Sequence, residues 1–331
     1  MRRVRLIREV HRPTGRGPGN GQYALQRLLR RRIDEGLDWL SLGGPPQAGE
    51  LPWFWSWEDR ALAVRWSGCR EPFVQGPNTL FLQSRRPRID ALESALLDAA
   101  SCRTMFTESP WYQELIRRHR GPENHSPIVL WPYPIDPRPS GPAPLARHDL
   151  LIYVKGGDFG GLCEHLRARF RSCRVIRYGG YRREDLWNLA RHSRSCCYLA
   201  DDDRGPLALA EILLCGCPTA GLFTGAPFVE PGRSGFFVEP STPPRWIEAI
   251  ERCHDLDRRE VAGRAAVQFD GARIVDTVLA ALDRARRTET AGGLQEIALE
   301  AEPDRRVPSR SGRLAQQMRA DAREGDRPSL G

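Results

Sequence analysis

Two short segments of the sequence carry the residue types that could bind an anion. The first is Lys155-Gly156-Gly157, which directly follows the apolar run LLIYV at residues 150–154. A lysine supplies a compact positive charge, and glycines let the backbone approach a phosphate closely. At the carboxyl end of a predicted strand this combination favours a phosphate site, although it lacks the fixed order of a P-loop. Lys155 is also the only lysine in the sequence, since every other basic side chain apart from histidine is arginine.

The second segment, residues 201–211, reads DDDRGPLALAE. A strand is predicted to end at the three aspartates, and a helix to begin near Pro206 after a Gly-Pro turn. The start of that helix, at Gly205, Pro206 and Leu207, would offer free N–H groups and the positive end of its dipole to an anion. Glu211 lies in the second turn within an apolar run, so its carboxylate needs partners. A ribose diol would supply two hydroxyl donors, and an ion pair with an arginine is the alternative.

The elements that must position these segments alternate between strand and helix, which is typical of parallel sheets wound by crossover helices. A proline-rich stretch at residues 136–144 can be neither helix nor central strand, and it predicts an interdomain linker. The sequence therefore predicts an α/β protein of two doubly wound, Rossmann-like domains, residues 1–140 and 141–288, followed by a polar tail at 289–331. Two such domains place their ligand sites at the carboxyl ends of the strands, facing one another across a cleft.

The individual elements are predicted from hydrophobic periodicity and from turn residues. The predicted strands are residues 4–10, 38–42, 73–75, 103–107, 128–131, 150–154, 174–178, 196–200 and 219–223. The predicted helices are residues 22–35, 57–66, 89–100, 110–118, 161–170, 183–192, 206–214 and 244–253.

Composition narrows the functional class. The chain has 331 residues, 40% of them hydrophobic, and a net charge of +8. These values exclude a wholly disordered chain and favour anionic partners such as sugar nucleotides, nucleic acid or acidic lipid headgroups. No apolar stretch reaches the ~20 residues of a membrane span, and the start has no signal-peptide core. We therefore expect a cytoplasmic protein whose basic first domain could also rest peripherally on the inner membrane surface.

The nine cysteines favour buried thiols over a metal site. Cys196-Cys197 and Cys215-Gly216-Cys217 lack the two-residue spacer of a zinc knuckle, and both lie in apolar surroundings. The three aspartates at 201–203 also resemble a metal-binding D-x-D, but three carboxylates without a gathered phosphate bind Mg²⁺ poorly. The sequence therefore predicts no metal.

Residues 203–218 resemble the E-x7-E segment of retaining GT-B glycosyltransferases, in particular glycosyltransferase family 4. In that segment two acidic residues flank a glycine-rich turn, and an apolar helix then ends in Cys-Gly-x-Pro. Here Asp203 and Glu211 flank the turn, and residues 215–218 read CGCP. Residues 178–186 and 231–240 are similar to further motifs of the second domain of that family, and residues 107–112 and 130–137 match first-domain motifs more loosely.

The resemblance implies a GT-B fold with an acceptor-side domain at residues 1–140 and a nucleotide-sugar donor domain at 141–288. It implies transfer of a hexose from a nucleoside diphosphate sugar, with UDP or GDP as the nucleotide, to an acceptor hydroxyl with retention of configuration. The acceptor would be a glycan, a lipid-linked sugar or another hydroxyl compound, and no cofactor beyond the donor is implied.

The resemblance also implies roles for individual residues. Glu211 would bind the donor ribose, Asp203 would lie beside the transferred sugar, and Lys155 would neutralise the leaving diphosphate. Three further loops would contact the nucleobase, the sugar hydroxyls and the phosphates. The residues of these loops are, in that order, Gly180 and Tyr181; Gly205, Pro206 and Leu207; and Gly17, Gly19 and Asn20.

Three departures from the family pattern leave a second class of function open. Asp203 is one methylene shorter than the usual Glu, and the usual Arg and Lys pair is reduced to Lys155, for which Arg167 or Arg204 would be the substitute. The position of a first-domain histidine is taken by residues 76–78, which leaves His11 as the nearest histidine. The chain could then be an impaired homologue that only binds a sugar nucleotide.

Nucleic-acid binding, or glycosylation of a DNA base, is the alternative that the basic charge and the tryptophans favour. A 2-epimerase would need more histidines, and a dehydrogenase would need the Gly-x-Gly-x-x-Gly pattern that is absent here. The tryptophans of the first domain, at positions 53, 55, 57 and 66, could form an acceptor surface. We interpret them instead as hydrophobic core.

Overall fold

The computed structural model describes residues 2–10, 20–84, 89–239 and 242–288, and these ranges contain two parallel sheets. The first sheet has the order β2-β1-β3-β4-β5-β6. Its strands are β1 (Val4–Leu6), β2 (Leu40–Leu42), β3 (Leu51–Phe54), β4 (Phe73–Gln75), β5 (Cys102–Thr107) and β6 (Ile128–Leu130). The second sheet has the order β11-β10-β9-β7-β8. Its strands are β7 (His148–Val154), β8 (Cys173–Arg177), β9 (Ser193–Leu199), β10 (Thr219–Gly221) and β11 (Gly235–Phe237).

Ten helices of the described residues connect and cover these strands, which confirms the two doubly wound α/β domains that the sequence predicts. They are α1 (Gly21–Asp34), α2 (Arg60–Gly68), α3 (Ala91–Leu97), α4 (Pro110–His119), α5 (Gly160–Arg169), α6 (Arg183–Arg191), α7 (Leu207–Leu214), α8 (Pro243–Cys253), α9 (Arg258–Gln268) and α10 (Gly271–Arg287). A short 3-10 turn, Trp57–Asp59, precedes α2, so the helix predicted from residue 57 begins as a tighter turn.

Strands β3 and β11 are absent from the sequence prediction. β3 reads LPWF, and a proline within a run argues against a central strand. Nevertheless β3 lies between β1 and β4, with Pro52 opposite Arg5. All four of its residues are buried, so burial of Trp53 and Phe54 outweighs the missing backbone donor.

The aromatic residues of the first domain form its core. Trp53, Trp55 and Trp131 are fully buried, and their rings pack edge to face or tilted, with Trp53 centroids 5.5 Å from Trp55 and 6.0 Å from Trp131. Trp66 is also buried, whereas Trp57 is only partly buried. The core interpretation is therefore confirmed for the buried tryptophans, and burial withdraws them from base stacking or acceptor contact.

The last helix of the described chain returns to the first sheet. α10 follows the second sheet in sequence, yet its apolar face joins the core of the first domain, in a cluster with Val4, Leu6 and Trp53. An ion pair between Arg32 of α1 and Asp276 of α10, 2.6 Å long, lies on the outside of this contact. The division into residues 1–140 and 141–288 remains a prediction, and α10 belongs to the second range while packing on the first sheet.

The cysteines at the centre of the second sheet are buried as free thiols. Cys196, Cys197, Cys215 and Cys217 are each fully buried. Burial raises the pKa of Cys217 to about 12 and that of Cys196 well above its usual range. These thiols are therefore unreactive core side chains, as the sequence indicates.

Candidate functional site

The candidate site lies where the strand order of the second sheet reverses. Counted within its sheet the order is 2-1-3-4-5, and the reversal falls between β7 and β9. In open parallel sheets ligands bind at the carboxyl ends of the strands at such a switch point. A cavity of about 570 Å³ occupies this place. It is lined by Gln83, Lys155, Gly156, Gly157, Ala200, Asp201 and Asp202.

Lys155 forms an ion pair with Asp203 at the edge of the cavity. The Lys155 Nζ atom lies 2.6 Å from Asp203 Oδ1; the lysine side chain is 27% exposed and the aspartate 2%. The second carboxylate oxygen of Asp203 accepts a hydrogen bond of 2.8 Å from the Tyr198 hydroxyl. The structure thus brings two of the three predicted catalytic residues together, and it commits both oxygens of Asp203 to protein donors.

A group of three tyrosines lies beneath this ion pair. The Tyr198 ring stacks on Tyr153 with centroids 4.8 Å apart and an interplanar angle of 11°. The Tyr153 and Tyr181 hydroxyls are 3.0 Å apart. Burial, reinforced by the negative charge of Asp203, raises the pKa of Tyr198 well above its ordinary value. Burial likewise raises the pKa of Tyr153 and of Tyr181, so all three phenols stay protonated and can donate.

Glu211, on α7, is fully buried and pairs with Arg183, the first residue of α6. Arg183 Nε lies 2.5 Å from Glu211 Oε1. Two further donors of this guanidinium reach the backbone of the proline-rich stretch, the Asp136 carbonyl at 3.3 Å and the Pro137 carbonyl at 3.1 Å. The arginine ion pair, one of the two alternatives open in the sequence, is therefore present, and ribose binding by Glu211 remains a prediction.

The start of α7 offers fewer free donors than the sequence suggests. The helix begins at Leu207, and Pro206, which has no N–H group, is its N-cap. The Leu207 N–H donates to the Gly205 carbonyl at 2.8 Å. A Cβ on Gly205 would lie 2.8 Å from the Tyr133 ring, so the turn fits closely against the first domain only as glycine.

The first domain holds the acidic loop (residues 201–206) by hydrogen bonds. The Ser84 backbone N–H donates to the Asp202 carboxylate at 2.8 Å, and the Trp111 Nε1–H donates to the Asp203 carbonyl at 3.2 Å. Arg204 reaches into the first domain, where it donates to the Leu80 carbonyl and lies over the Tyr112 ring. Arg204 therefore points away from the cavity, and Arg167 is exposed on α5. Replacement of the second cation of the family by either arginine remains a prediction.

Glu108, directly after β5, is a buried carboxyl beside this loop. It is 2% exposed, and its Oε1 accepts from the Tyr133 hydroxyl at 3.4 Å. Among the described residues its Oε2 has no hydrogen-bond partner. Burial raises the pKa of Glu108, and the charge of Arg204 opposes this rise. Asn78, the last residue of the stretch 76–78, donates to the same Tyr133 hydroxyl at 3.1 Å.

The remaining predicted binding residues divide into three groups. Tyr181 is buried and Gly180 exposed, immediately before α6. Asn20 caps α1, where its side chain accepts from the Tyr23 N–H at 2.9 Å. Gly17, Gly19 and His11 lie outside the described residues.

Over the described ranges there is no group of three or more His, Cys, Asp or Glu side chains placed to hold a metal ion. No helix within those ranges has the length and apolar character needed to span a bilayer.

Sequence reasoning missed the residues that hold the predicted ones. Tyr198 and Arg183 each bond a predicted carboxylate, and Ser84, Trp111 and Tyr133 supply the first-domain contacts. One signal was available for Tyr198: along β9 and the residue after it, Cys196, Tyr198 and Ala200 share one core and the residues between them the other. That alternation directs Tyr198 to the face on which α7 packs.

Comparison with known proteins identifies the fold. No family model matches the chain, and no curated protein matches its sequence. Sucrose-phosphate synthase from Thermosynechococcus elongatus is similar in structure over 86% of this chain and 99% of its own, with a TM-score of 0.60 and 13% identity. The lipopolysaccharide outer core galactosyltransferase WaaB is similar over 80% of each chain, with a TM-score of 0.52 and 9% identity. At such identities the likeness establishes the fold alone, and the predicted GT-B arrangement is confirmed.

Proposed function

We propose that this chain is a glycosyltransferase that transfers a sugar from a nucleoside diphosphate donor to an acceptor hydroxyl. The observation that carries the proposal is the placement of Lys155 and of the segment from Asp203 to Glu211 at the switch point of the second sheet. Lys155 lines a cavity of about 570 Å³ there, together with Asp201, Asp202 and Gln83 of the first domain, and Asp203 pairs with Lys155. The GT-B fold of the chain is compatible with this activity, and the motifs at residues 203–218 connect the fold to it.

Lys155 would stabilise the leaving diphosphate. Negative charge develops on that group in the transition state, and a cation already held in place lowers the barrier without reorganisation. Gly156 and Gly157 adjoin the lysine with φ angles of 150° and 81°, and a Cβ on Gly157 would lie 2.7 Å from an Asp201 carboxylate oxygen. Gly157 therefore lets the backbone pass close to the Asp201 carboxylate, whereas Gly156 adjoins open space.

The finer assignment follows the motif resemblance. We propose a hexose donor carrying UDP or GDP, retention of configuration, and an acceptor that is a glycan, a lipid-linked sugar or another hydroxyl compound. The expected setting is the cytoplasm, where these donors are made, with the inner membrane surface as the place of a lipid-linked acceptor. The donor requires no cofactor of its own in this scheme.

The first experiment measures thermal unfolding with UDP, GDP, UDP-glucose, UDP-N-acetylglucosamine and GDP-mannose. A ligand at 100 times its Kd adds about 2.7 kcal/mol, which raises the midpoint by roughly 5 °C in a chain of this size. We expect one nucleotide family to give this increase in the wild type and Lys155→Ala to abolish it. Arg174→Ala, which removes an exposed charge from the neighbouring strand β8, is the matched control and should keep the increase. A folded wild type that responds to none of the ligands would refute the donor site.

Donor binding without transfer is the second candidate, and two observations favour it. Both oxygens of Asp203 are committed to protein donors, and Pro206 removes an N–H from the start of α7. Release of nucleoside diphosphate from the donor that raises the midpoint, measured with and without glycan acceptors, distinguishes the two. Turnover supports the transferase, and a raised midpoint without any turnover supports the binding protein.

A further inference from the structure

We propose that Asp203 acts through Lys155 and not on the sugar, and that Tyr198 is the positioning residue that fixes this carboxylate. The consequence for sugar transfer rests on the proposed function. The arrangement of the three side chains does not, because it can be tested on the full chain without any donor.

Every polar atom of Asp203 is engaged by the protein. Lys155 and Tyr198 donate to its two carboxylate oxygens at 2.6 and 2.8 Å. Its carbonyl accepts from Trp111 at 3.2 Å, and its N–H donates to the Thr224 carbonyl at 2.8 Å. Because the residue is also 2% exposed and is not one of the residues that line the cavity, its carboxylate has little surface for a sugar hydroxyl to reach.

Tyr198 is placed to be a permanent donor to this carboxylate. Its ring is fully buried on β9 and stacks on Tyr153, which fixes the direction of its hydroxyl. Its pKa is raised well above the ordinary value by burial and by the charge of Asp203, so the proton stays on the phenol. One carboxylate oxygen is therefore held by Tyr198, and the other is directed at the Lys155 ammonium.

The length of the side chain matters in this arrangement. A glutamate at position 203, as in the resembling family, would carry its carboxylate one methylene farther than the place where Tyr198 and Lys155 meet it now. Lys155, whose side chain is 27% exposed, would have to move with it relative to the cavity. The length of the aspartate side chain therefore fits the distance to Tyr198, and its carboxylate holds the Lys155 ammonium at the cavity edge.

The test uses the fact that Lys155 is the only lysine. Trace acylation of the full chain with an amine-reactive ester, followed by peptide mass spectrometry, reads the availability of its ammonium separately from the N-terminal amine. A charge-assisted hydrogen bond from an ammonium group to a carboxylate slows the reaction of that group with the ester. We expect Asp203→Asn to raise the acylation rate about tenfold and Tyr198→Phe to raise it about threefold. Tyr153→Phe is the matched control, because it removes a hydroxyl from the same ring stack that does not touch Asp203, and it should leave the rate unchanged.

Two results would overturn the inference. If Tyr198→Phe, shown to be folded by circular dichroism, acylates at the wild-type rate, Tyr198 does not position the carboxylate. If Asp203→Asn acylates at that rate, the ion pair itself is absent in solution. Neither result depends on a donor, so either one can occur while the thermal stabilisation by nucleotides is retained, and the proposed function then stands without this inference.

Asp203→Glu supplies a second test that removes no hydrogen-bonding group. If Asp203 contacted the sugar and were merely too short, restoring the family residue would raise turnover of the donor. We expect turnover to fall about tenfold because Lys155 is displaced, with a smaller change in donor KM. An increase in turnover overturns the inference. If the wild type turns over no donor, the acylation series still decides the arrangement, and only the proposed function fails.

Discussion

Two ion pairs lie at the two ends of the same segment, and they differ in what surrounds them. Lys155 and Asp203 meet at the edge of a cavity, with the lysine partly exposed. Arg183 and Glu211 meet in the interior, where the glutamate is fully buried and the arginine side chain 14% exposed. Arg183 also bonds two carbonyls of the proline-rich stretch. The first pair lies beside a cavity in which a ligand could bind. The second pair connects α6, α7 and the segment between the sheets.

The difference shows that Asp203 and Glu211, the two carboxylates of one sequence motif, have different surroundings and different roles. An ion pair with a partly exposed cation can separate when a ligand competes for that cation, because water replaces the hydrogen bonds that the cation loses. A buried pair resists separation, because each charge would be left without solvent or a partner. In this chain the two ion pairs differ more in the exposure of their cation than in the identity of their carboxylate.

The largest expected effect comes from breaking the interior pair. Glu211→Leu leaves Arg183 without its carboxylate partner, and such a loss costs about 3–5 kcal/mol. We expect a clear fall in the urea midpoint, measured by far-ultraviolet circular dichroism. The double variant Glu211→Leu with Arg183→Met should recover part of the loss, since no unpaired charge remains. A single variant as stable as the wild type would remove the distinction between the two pairs.

The cavity-edge pair should matter less for stability. Asp203→Ala leaves the Tyr198 hydroxyl without its acceptor, while water can hydrate Lys155. We expect a loss of about 2 kcal/mol, in the range of a hydrogen bond to a charged group. The same urea series measures it. A loss as large as that of Glu211→Leu would mean that the two pairs are equally structural.

Glu108 extends the comparison to a buried carboxyl with a raised pKa. Its proton is bound more tightly in the folded protein than in the unfolded chain, so its contribution to stability is present below its ordinary pKa and is lost as pH rises through the folded pKa. A difference of one pH unit between the folded and unfolded pKa values corresponds to about 1.4 kcal/mol of unfolding free energy. We therefore expect Glu108→Gln to gain stability relative to the wild type as the pH rises above the ordinary glutamate pKa of 4.5.

The groups facing Glu108 set the size of this gain. Arg204 and the Tyr133 hydroxyl favour the ionised form, and Asp203 disfavours it. The exposed Glu123→Gln is the control for loss of one charge and should show no such trend. A difference between wild type and Glu108→Gln that stays constant with pH would contradict the raised pKa.

The smallest effect is expected at Arg182, the neighbour of Arg183. Its pair with Asp185 is 3.5 Å long and lies in solvent, with side chains 75% and 50% exposed. Exposed pairs of this kind contribute little, because water and side-chain entropy oppose them. Arg182→Ala should leave the thermal midpoint unchanged, whereas Arg183→Ala should lower it. Equal responses of the two adjacent arginines would contradict the burial argument.

Much of the second domain could be predicted from the sequence. The helix predicted at 183–192 is α6, and the strand predicted at 196–200 overlaps β9, because apolar runs and turn residues alternate clearly there. In the first domain β4 was predicted with its observed bounds. β3 was not, since the proline in LPWF conceals a strand whose position depends on the sheet around it.

The site was predictable in its carboxylates and in its lysine, but not in their partners. Residue types at strand ends indicated Lys155, Asp203 and Glu211. Arg183 lies 28 positions from Glu211, and only the packing of α6 against α7 brings them together. The exposed fraction of each side chain, which separates the two pairs, is a property of the folded molecule that local sequence does not contain.

The return of α10 to the first sheet has a consequence for synthesis on the ribosome. The first core includes Ile274, Val275 and Val278 of α10, while the last strand of its sheet ends at Leu130. At about 5–20 residues per second, translation of the intervening chain takes roughly 7–29 s. During that interval the apolar surface that α10 covers is exposed to chaperones and to other nascent chains. If translation stops within the second domain, all strands of the first sheet have been synthesised, but the helix that completes its core is missing.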